Sequence, residues 1–335
     1  MAVWATPLTK LAASFRTASG FCRVKESRAK GATILVYHGV VDRISDRYFD
    51  RYSIDVRTLR AHLGFLKRRR KVISLSTLLQ ALAQNHPVDD RWAVLTFDDA
   101  LKSQLTVAAD LLAAHQLPWA LSIPAGLVGT NSTVWTYAFR LLVVRLWKDS
   151  RIRHPLVHGE YVACGSEGQR HVAADAISKI LMHDVSDAQR AAYLIEAIAA
   201  VGADRLEEEI VRDRRFVMAS WSSIRAAVQG GVEPCSHGYD HLPHNAQISS
   251  AGVRRELFDS RALLAEKLTV APEAFVLPNG LATPRTFASM ALAGYGACLT
   301  SNAGRVLSGA DMMALPRFDG EYCLNVLRYH LINSH

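Results

Sequence analysis

Residues 93–99 read Ala93-Val94-Leu95-Thr96-Phe97-Asp98-Asp99. The first five predict a buried strand, rich in apolar side chains and free of charge. Two carboxylates follow at once. If both were buried and ionised they would repel each other. A divalent metal relieves the conflict by neutralising one, leaving the other free to take a proton. A solvated acidic turn or a helix N-cap would also account for the pair.

Working outward, residues 102–115 predict a helix and Trp119–Ile123 another strand. Upstream, Ile34–Tyr37 is a short apolar run ending at His38-Gly39. Leu59, Leu63 and Leu66 then recur at helical spacing up to the basic run Lys67–Lys71, which suits a helix C-terminus. Val72-Ile73 predicts a strand and Ser76–Leu82 a helix. Strand and helix alternate again towards the C-terminus. Trp221–Val228 predicts a helix stopped by Gly230-Gly231, and Val232–Cys235 a strand ending at Ser236-His237. Ser250–Leu268 is a long amphipathic helix. Phe275–Leu277 is a strand ending at Pro278-Asn279-Gly280, Pro284–Ala293 a helix and Ala297–Thr300 a strand. Such alternation marks an α/β chain built on a parallel sheet or barrel. Between them, residues 133–215 carry helical patterns (Tyr137–Trp147, Ala173–Met182, Asp187–Ala200) with no strand. They are expected as a helical insertion within one domain over residues 31–330.

The chain has 335 residues, half of them apolar, with a net charge of +8 and a pI near 9.4. A basic surface favours acidic polymers but does not choose among them. No aromatic-basic pattern or motif supports nucleic-acid binding. Five cysteines without a CxxC pair argue against a disulfide framework. Residues 1–30 are expected as a basic arm, since no continuous apolar core marks a secretory signal. No transmembrane segment is expected. A cytoplasmic protein, with peripheral membrane contact as an option, is the expectation.

The unusual polar residues fall just after strands: His38, Asp98-Asp99, His237–His241 and Asn279. In a βα barrel, that is where catalytic groups gather. His237 and His241, four positions apart, can face one metal. Two imidazoles and a carboxylate form an open set suited to Zn²⁺. His244 leaves open which two ligate. His62, His86, His115 and His183 lack such context and are expected at the surface.

These segments together resemble the polysaccharide deacetylases of the NodB-homology type. The strand into Asp98-Asp99 is similar to their first motif, and Val232–His237 closed by His241 to their second. Further landmarks are Leu35–Gly39, Leu277–Gly280, Trp221–Arg225, Gly294–Ala297 and Leu315-Pro316-Arg317. The resemblance implies a distorted (β/α) barrel, one divalent metal ion, expected to be Zn²⁺, and N-deacylation of an amino-sugar glycan. Carried over by position, Asp98 is the general base, and Asp99, His237 and His241 are the metal ligands. His38, Pro278, Asn279 and Arg317 are candidates for substrate binding or for an oxyanion hole.

The pattern also departs from the family. Ala100 stands where a Gly is usual, which strains a position needing φ > 0. The third motif lacks its aromatic residue and its Arg, so Arg317 would have to reach the base through space. The general acid is unassigned. His330 is the downstream candidate, against the plainer reading of a surface histidine. A sugar-binding relative without catalysis, and an amidohydrolase acting on a non-sugar amide, are the alternatives.

Overall fold

The computed structural model describes residues 30–320 and 323–332. Apart from Lys30, the basic arm read over residues 1–30 lies outside them. The strands are β1 (Thr33–Tyr37), β2 (Gly39–Val41), β3 (Ser53–Asp55), β4 (Lys71–Val72), β5 (Trp92–Phe97), β6 (Ala120–Ile123), β7 (Arg151–Arg153), β8 (Tyr161–Ala163), β9 (Glu233–Ser236), β10 (Ala274–Val276), β11 (Ala297–Leu299) and β12 (Phe318–Asp319). The helices are α1 (Val56–Arg69), α2 (Leu75–Ala83), α3 (102–115), α4 (135–146), α5 (Glu167–His183), α6 (Asp187–Val201), α7 (Ala203–Asp213), α8 (Trp221–Gln229), α9 (250–268), α10 (Pro284–Leu292) and α11 (Leu324–Ile332). Three of them contain a wide π-type turn: α3 at Gln104–Ala108, α4 at Leu142–Leu146 and α9 at Arg255–Asp259.

The main sheet runs β11-β10-β9-β6-β5-β1-β12, with β4 on the amino half of β5, and every pairing in it is parallel. Residues 315–319 close it into a distorted barrel. Leu315 lies beside Leu299 of β11, and Phe318 and Asp319 pair with Leu35 and Val36 of β1.

Side-chain alternation along the strands sorts two faces. Leu35, Tyr37, Leu95, Phe97, Leu121 and Ile123 pack under α1, α3, α9 and α11. Ile34, Val94, Ala120, Cys235, Val276 and Leu299 form the inner cluster, with α2 packed among them. Both faces are covered, which is why these strands read as continuous apolar runs. The same period of two carries the inner face from Val94 through Thr96 to Asp98. It also runs from Ala120 to Ser122, and from Cys235 to His237.

Residues 133–215 build a core of their own, containing Trp135, Tyr137, Phe139, Ile177, Tyr193 and Ile210. Ser166 and Ser186 start α5 and α6 with capping boxes. The segment holds an antiparallel hairpin, β7–β8, where only helices were expected. Arg151-Ile152-Arg153 is too short and too charged to read as a strand. Helix α7, dense in Glu and Arg, was also not foreseen. Cys164, Cys235 and Cys298 are buried free thiols and Cys323 an exposed one. Among the described residues no helix is long and apolar enough to cross a membrane.

Candidate active site

Asp98 and Asp99 leave β5 in different directions, because Asp99 (φ 77°) and Ala100 (φ 50°) both adopt left-handed backbone. Asp98 continues the inner face. Its Oδ1 accepts from Ser122 Oγ at 2.7 Å and from Arg317 Nη1 at 2.9 Å, and its Oδ2 from Arg317 Nη2 at 2.9 Å. Burial alone would push this carboxyl up, but the Arg317 guanidinium holds it well below the usual carboxylate range. Arg317 therefore does reach Asp98 through space. It lies on the segment that closes the barrel and spends its donors on Asp98, Thr96 and the Thr300 carbonyl. Arg317 is only 3% exposed, so of the residues considered for substrate binding or an oxyanion hole it is the one the fold turns towards Asp98.

Asp99 turns towards the histidines. Its Oδ2 accepts from Tyr137 Oη at 2.8 Å, while its Oδ1 is buried without a hydrogen-bond partner. That oxygen lies 3.4 Å from His237 Nε2 and 3.4 Å from His241 Nε2, and the two nitrogens are 3.2 Å apart. His237 Nδ1 is 2.8 Å from the Val276 carbonyl, so Nδ1 carries the proton and Nε2 presents a lone pair. Burial, then the neighbouring His237, pull the His241 imidazole down to about 3, so it is neutral. Burial would raise the Asp99 carboxyl, and the contact with His237 holds it down to about 2.

With Nε2 unprotonated on both imidazoles, the two nitrogens and the carboxylate oxygen would repel one another without a cation between them. A tetrahedral ion with bonds of about 2.0–2.1 Å needs ligand atoms about 3.3–3.4 Å apart. The donor set and its spacing fit such an ion, and Asp99, His237 and His241 form the one cluster of this kind found among the described residues. His244 is excluded from it. That residue is fully buried, and its ring packs edge-on to Phe275 at 5.7 Å.

The loop carrying His237–His241 is held from three sides. Glu256, in the π-turn of α9, accepts from the backbone N–H groups of Tyr239, Asp240 and Leu242. Trp135 Nε1 donates to the His241 carbonyl at 3.2 Å. Ala125 and Gly126 donate to the carbonyls of Gly238 and Tyr239. Gly238 (φ +81°) is obligatory here, since a Cβ would meet Glu256 Oε2 at 2.0 Å. Gln104, in the π-turn of α3, clamps the opposite rim by donating to the carbonyls of His38 and Asp98.

His38 is half-buried at this rim, and its charge is felt by both Asp98 and Asp99. Pro278 is buried close to Gly238. Asn279 (φ 56°) follows it with its Nδ2 unpartnered. The side chain of His330 lies outside the described residues. Its neighbour Leu331 accepts from Arg70 and Arg305, and Arg305 also holds the Gly31 carbonyl. That end of α11 is therefore at the amino ends of the strands, opposite Asp98. His62, expected at the surface, is fully buried, with Nδ1 at 3.3 Å from Tyr37 Oη.

Ser122, Gln104, Tyr137, Trp135 and Glu256 were missed by the sequence reading. Ser122 had a signal, its parity with Ala120 on the inner face. Tyr137 and Trp135 had none, because aromatics in a helical stretch read as core.

A family model described as polysaccharide deacetylase matches residues 191–298, the part that carries the His237–His241 loop and the Pro278-Asn279 turn. Over that part the chain is similar to the polysaccharide deacetylases. The family are hydrolases of carbon–nitrogen bonds. A search of curated proteins gave no match. Solved structures of similar fold include three bacterial proteins. Deacetylase PplD of Streptococcus pyogenes, in complex with acetate, is 14% identical, covers 91% of this chain and 97% of its own, and has a TM-score of 0.57. IcaB from Ammonifex degensii is 18% identical, with coverages of 91% and 98% and a TM-score of 0.57. The BpsB deacetylase domain from Bordetella bronchiseptica is 20% identical, with coverages of 87% and 96% and a TM-score of 0.51. At these identities the likeness is one of fold. The site of this chain rests on its own geometry.

Proposed function

We propose that this chain is a polysaccharide deacetylase that hydrolyses the N-acyl group of an amino sugar, with one divalent ion, Zn²⁺ by its donor set, held by Asp99, His237 and His241. The observation that carries the reading is the orphaned Asp99 Oδ1 facing two imidazole nitrogens at 3.4 Å. A divalent ion in that position supplies a Lewis acid that polarises the amide carbonyl and acidifies water.

The residues of the chain do the rest. Tyr137 fixes Asp99 through Oδ2 and so aims Oδ1 at the imidazoles. Val276 fixes the tautomer of His237. Asp98, gripped by Arg317 and Ser122, keeps one side of Oδ2 open to take the proton of the attacking water. Its low pKa makes it a weak base, adequate only for water that has already been acidified. The water oxygen bonds to the carbonyl carbon, the carbon–nitrogen bond breaks, and the amine leaves with a proton. We assign that proton to His38, the half-buried imidazole at the rim, and a contact with a substrate oxygen to Asn279, whose Nδ2 has no acceptor in the fold.

Metal per chain, measured on purified wild type beside Asp99→Ala and His237→Ala, tests the centre. About one ion in the wild type and loss in both variants is expected. Acyl release from N-acetylated oligosaccharides should follow the same pattern. A folded wild type that takes up no ion when zinc is supplied would sink the reading.

A further inference from the structure

The helical segment holds a cavity that the chemistry above leaves unused. It lies between α4, α6 and α7 and measures about 480 Å³, a size typical of small-molecule sites. Its wall is apolar, formed by Leu127, Phe139, Leu142, Leu194, Ile198 and Leu206, and the exposed residues Ser132, Ala188 and Ala191 rim it. Trp135 also lines it, and the same indole holds the His241 carbonyl.

Arg190 stands in this apolar wall although only 2% of it is exposed. Its Nε donates to the Leu181 carbonyl at 2.7 Å. Its Nη1 and Nη2 have no acceptor at all. The Trp135 ring, 5.7 Å from the guanidinium carbon, offers a π face rather than a lone pair. Two carboxylates feel the charge, Asp187 and Glu256, but their oxygens are engaged elsewhere. Asp187 accepts from the N–H and Oγ of Ser249, and Glu256 accepts from the loop backbone. Asp240, also on the wall, is paired with Arg255. A guanidinium stays charged at neutral pH, so a planar pair of buried donors is left without an acceptor in the wall of an apolar chamber.

We propose that this cavity binds a fatty-acyl carboxylate, its chain along the leucines and its head on the Nη1–Nη2 fork of Arg190. A carboxylate accepts two parallel bonds from such a fork. A sugar would bury hydroxyls against leucines without partners. A dianion such as phosphate would be opposed by Asp187 and Asp240, which a monoanion tolerates better. The site is separate from the metal centre and does not depend on that centre being catalytic.

The test is calorimetric titration of decanoate into wild type and into Asp99→Ala, where the metal centre has lost a ligand and cannot account for the binding. Saturable one-to-one binding is expected in both. Arg190→Met should weaken decanoate at least tenfold and leave the weaker binding of decanol unchanged. Leu194→Trp fills the chamber, keeps the cation, and should abolish both. It decides the matter alone if Arg190→Met does not fold. No saturable binding to wild type, binding that survives Leu194→Trp, or binding lost in Asp99→Ala would each overturn the proposal.

Discussion

Ala100 sits in left-handed backbone, fully buried, directly after Asp99 in the same region. Asp tolerates that region better than Ala does, so the strain falls on Ala100. Ala100→Gly should raise the unfolding free energy by about 0.5–1 kcal/mol, the relief of strain being partly offset by a freer unfolded chain. Urea melts would show it. Asp98 makes the opposite kind of contribution. Arg317 holds its carboxyl low in the fold, so the folded chain binds fewer protons than the unfolded one. The stabilisation is complete above the unfolded value of about 3.9 and is lost as pH falls towards the folded value. Asp98→Asn should therefore be less stable than its parent at pH 7, by a margin that shrinks at pH 3. A margin that widens would mean Asp98 is protonated in the fold. Arg317→Met leaves a buried charge unpaired and should cost about 3–5 kcal/mol. Tyr137→Phe removes one hydroxyl that orients a ligand. A loss of about 10–100-fold in metal affinity is expected, read by competition with a chelator, with no change in the urea midpoint of the metal-free protein beyond about 1 kcal/mol.

Strands and site loops were legible in the sequence for one physical reason. A strand covered on both faces is an uninterrupted apolar run, and the polar residue that ends it marks the barrel mouth. Thus Ala93–Phe97 pointed to Asp98-Asp99, and Val232–Cys235 to His237. The left-handed turn at Ala100 and the reach of Arg317 were legible as demands of the pattern. What was illegible came from residues whose neighbours in space are far along the chain. Tyr137 lies in a helix that buries most of its side chains, and nothing local separates the one that reaches Asp99. The two polar clamps share an unforeseen device as well. Gln104 and Glu256 each sit in a π-turn, an extra residue in a helix that redirects side chains and is often found at functional sites. The clamp on the His237–His241 loop can be tested directly. In Glu256→Gln one accepting oxygen becomes a donor facing backbone N–H groups. Amides of Tyr239, Asp240 and Leu242 should lose at least about tenfold in hydrogen-exchange protection, equivalent to about 1.4 kcal/mol, while the strand amides of β5 and β6 keep theirs.

At the scale of the molecule, the proposed metal centre joins two cores. Asp99 and His237 leave strands of the barrel, whereas Tyr137 and Trp135 come from the core of residues 133–215. An ion bound to the folded state alone should raise the stability of the whole. At 100 times the dissociation constant the gain is about 2.7 kcal/mol. Chelation should lower the melting temperature of the wild type, added zinc should restore it, and His241→Ala should respond to neither.

The barrel is closed by residues 315–319, and the same segment carries the partner of Asp98. The two residues are 219 positions apart. On a ribosome adding about 5–20 residues per second, Asp98 emerges about 10–40 s before Arg317 exists. For that interval the nascent barrel has an open seam and an acidic group with no counter-ion, so it has reason to stay unsealed and hydrated until the last strand arrives. Sealing the fold and neutralising a buried acid are one late event in the life of the chain.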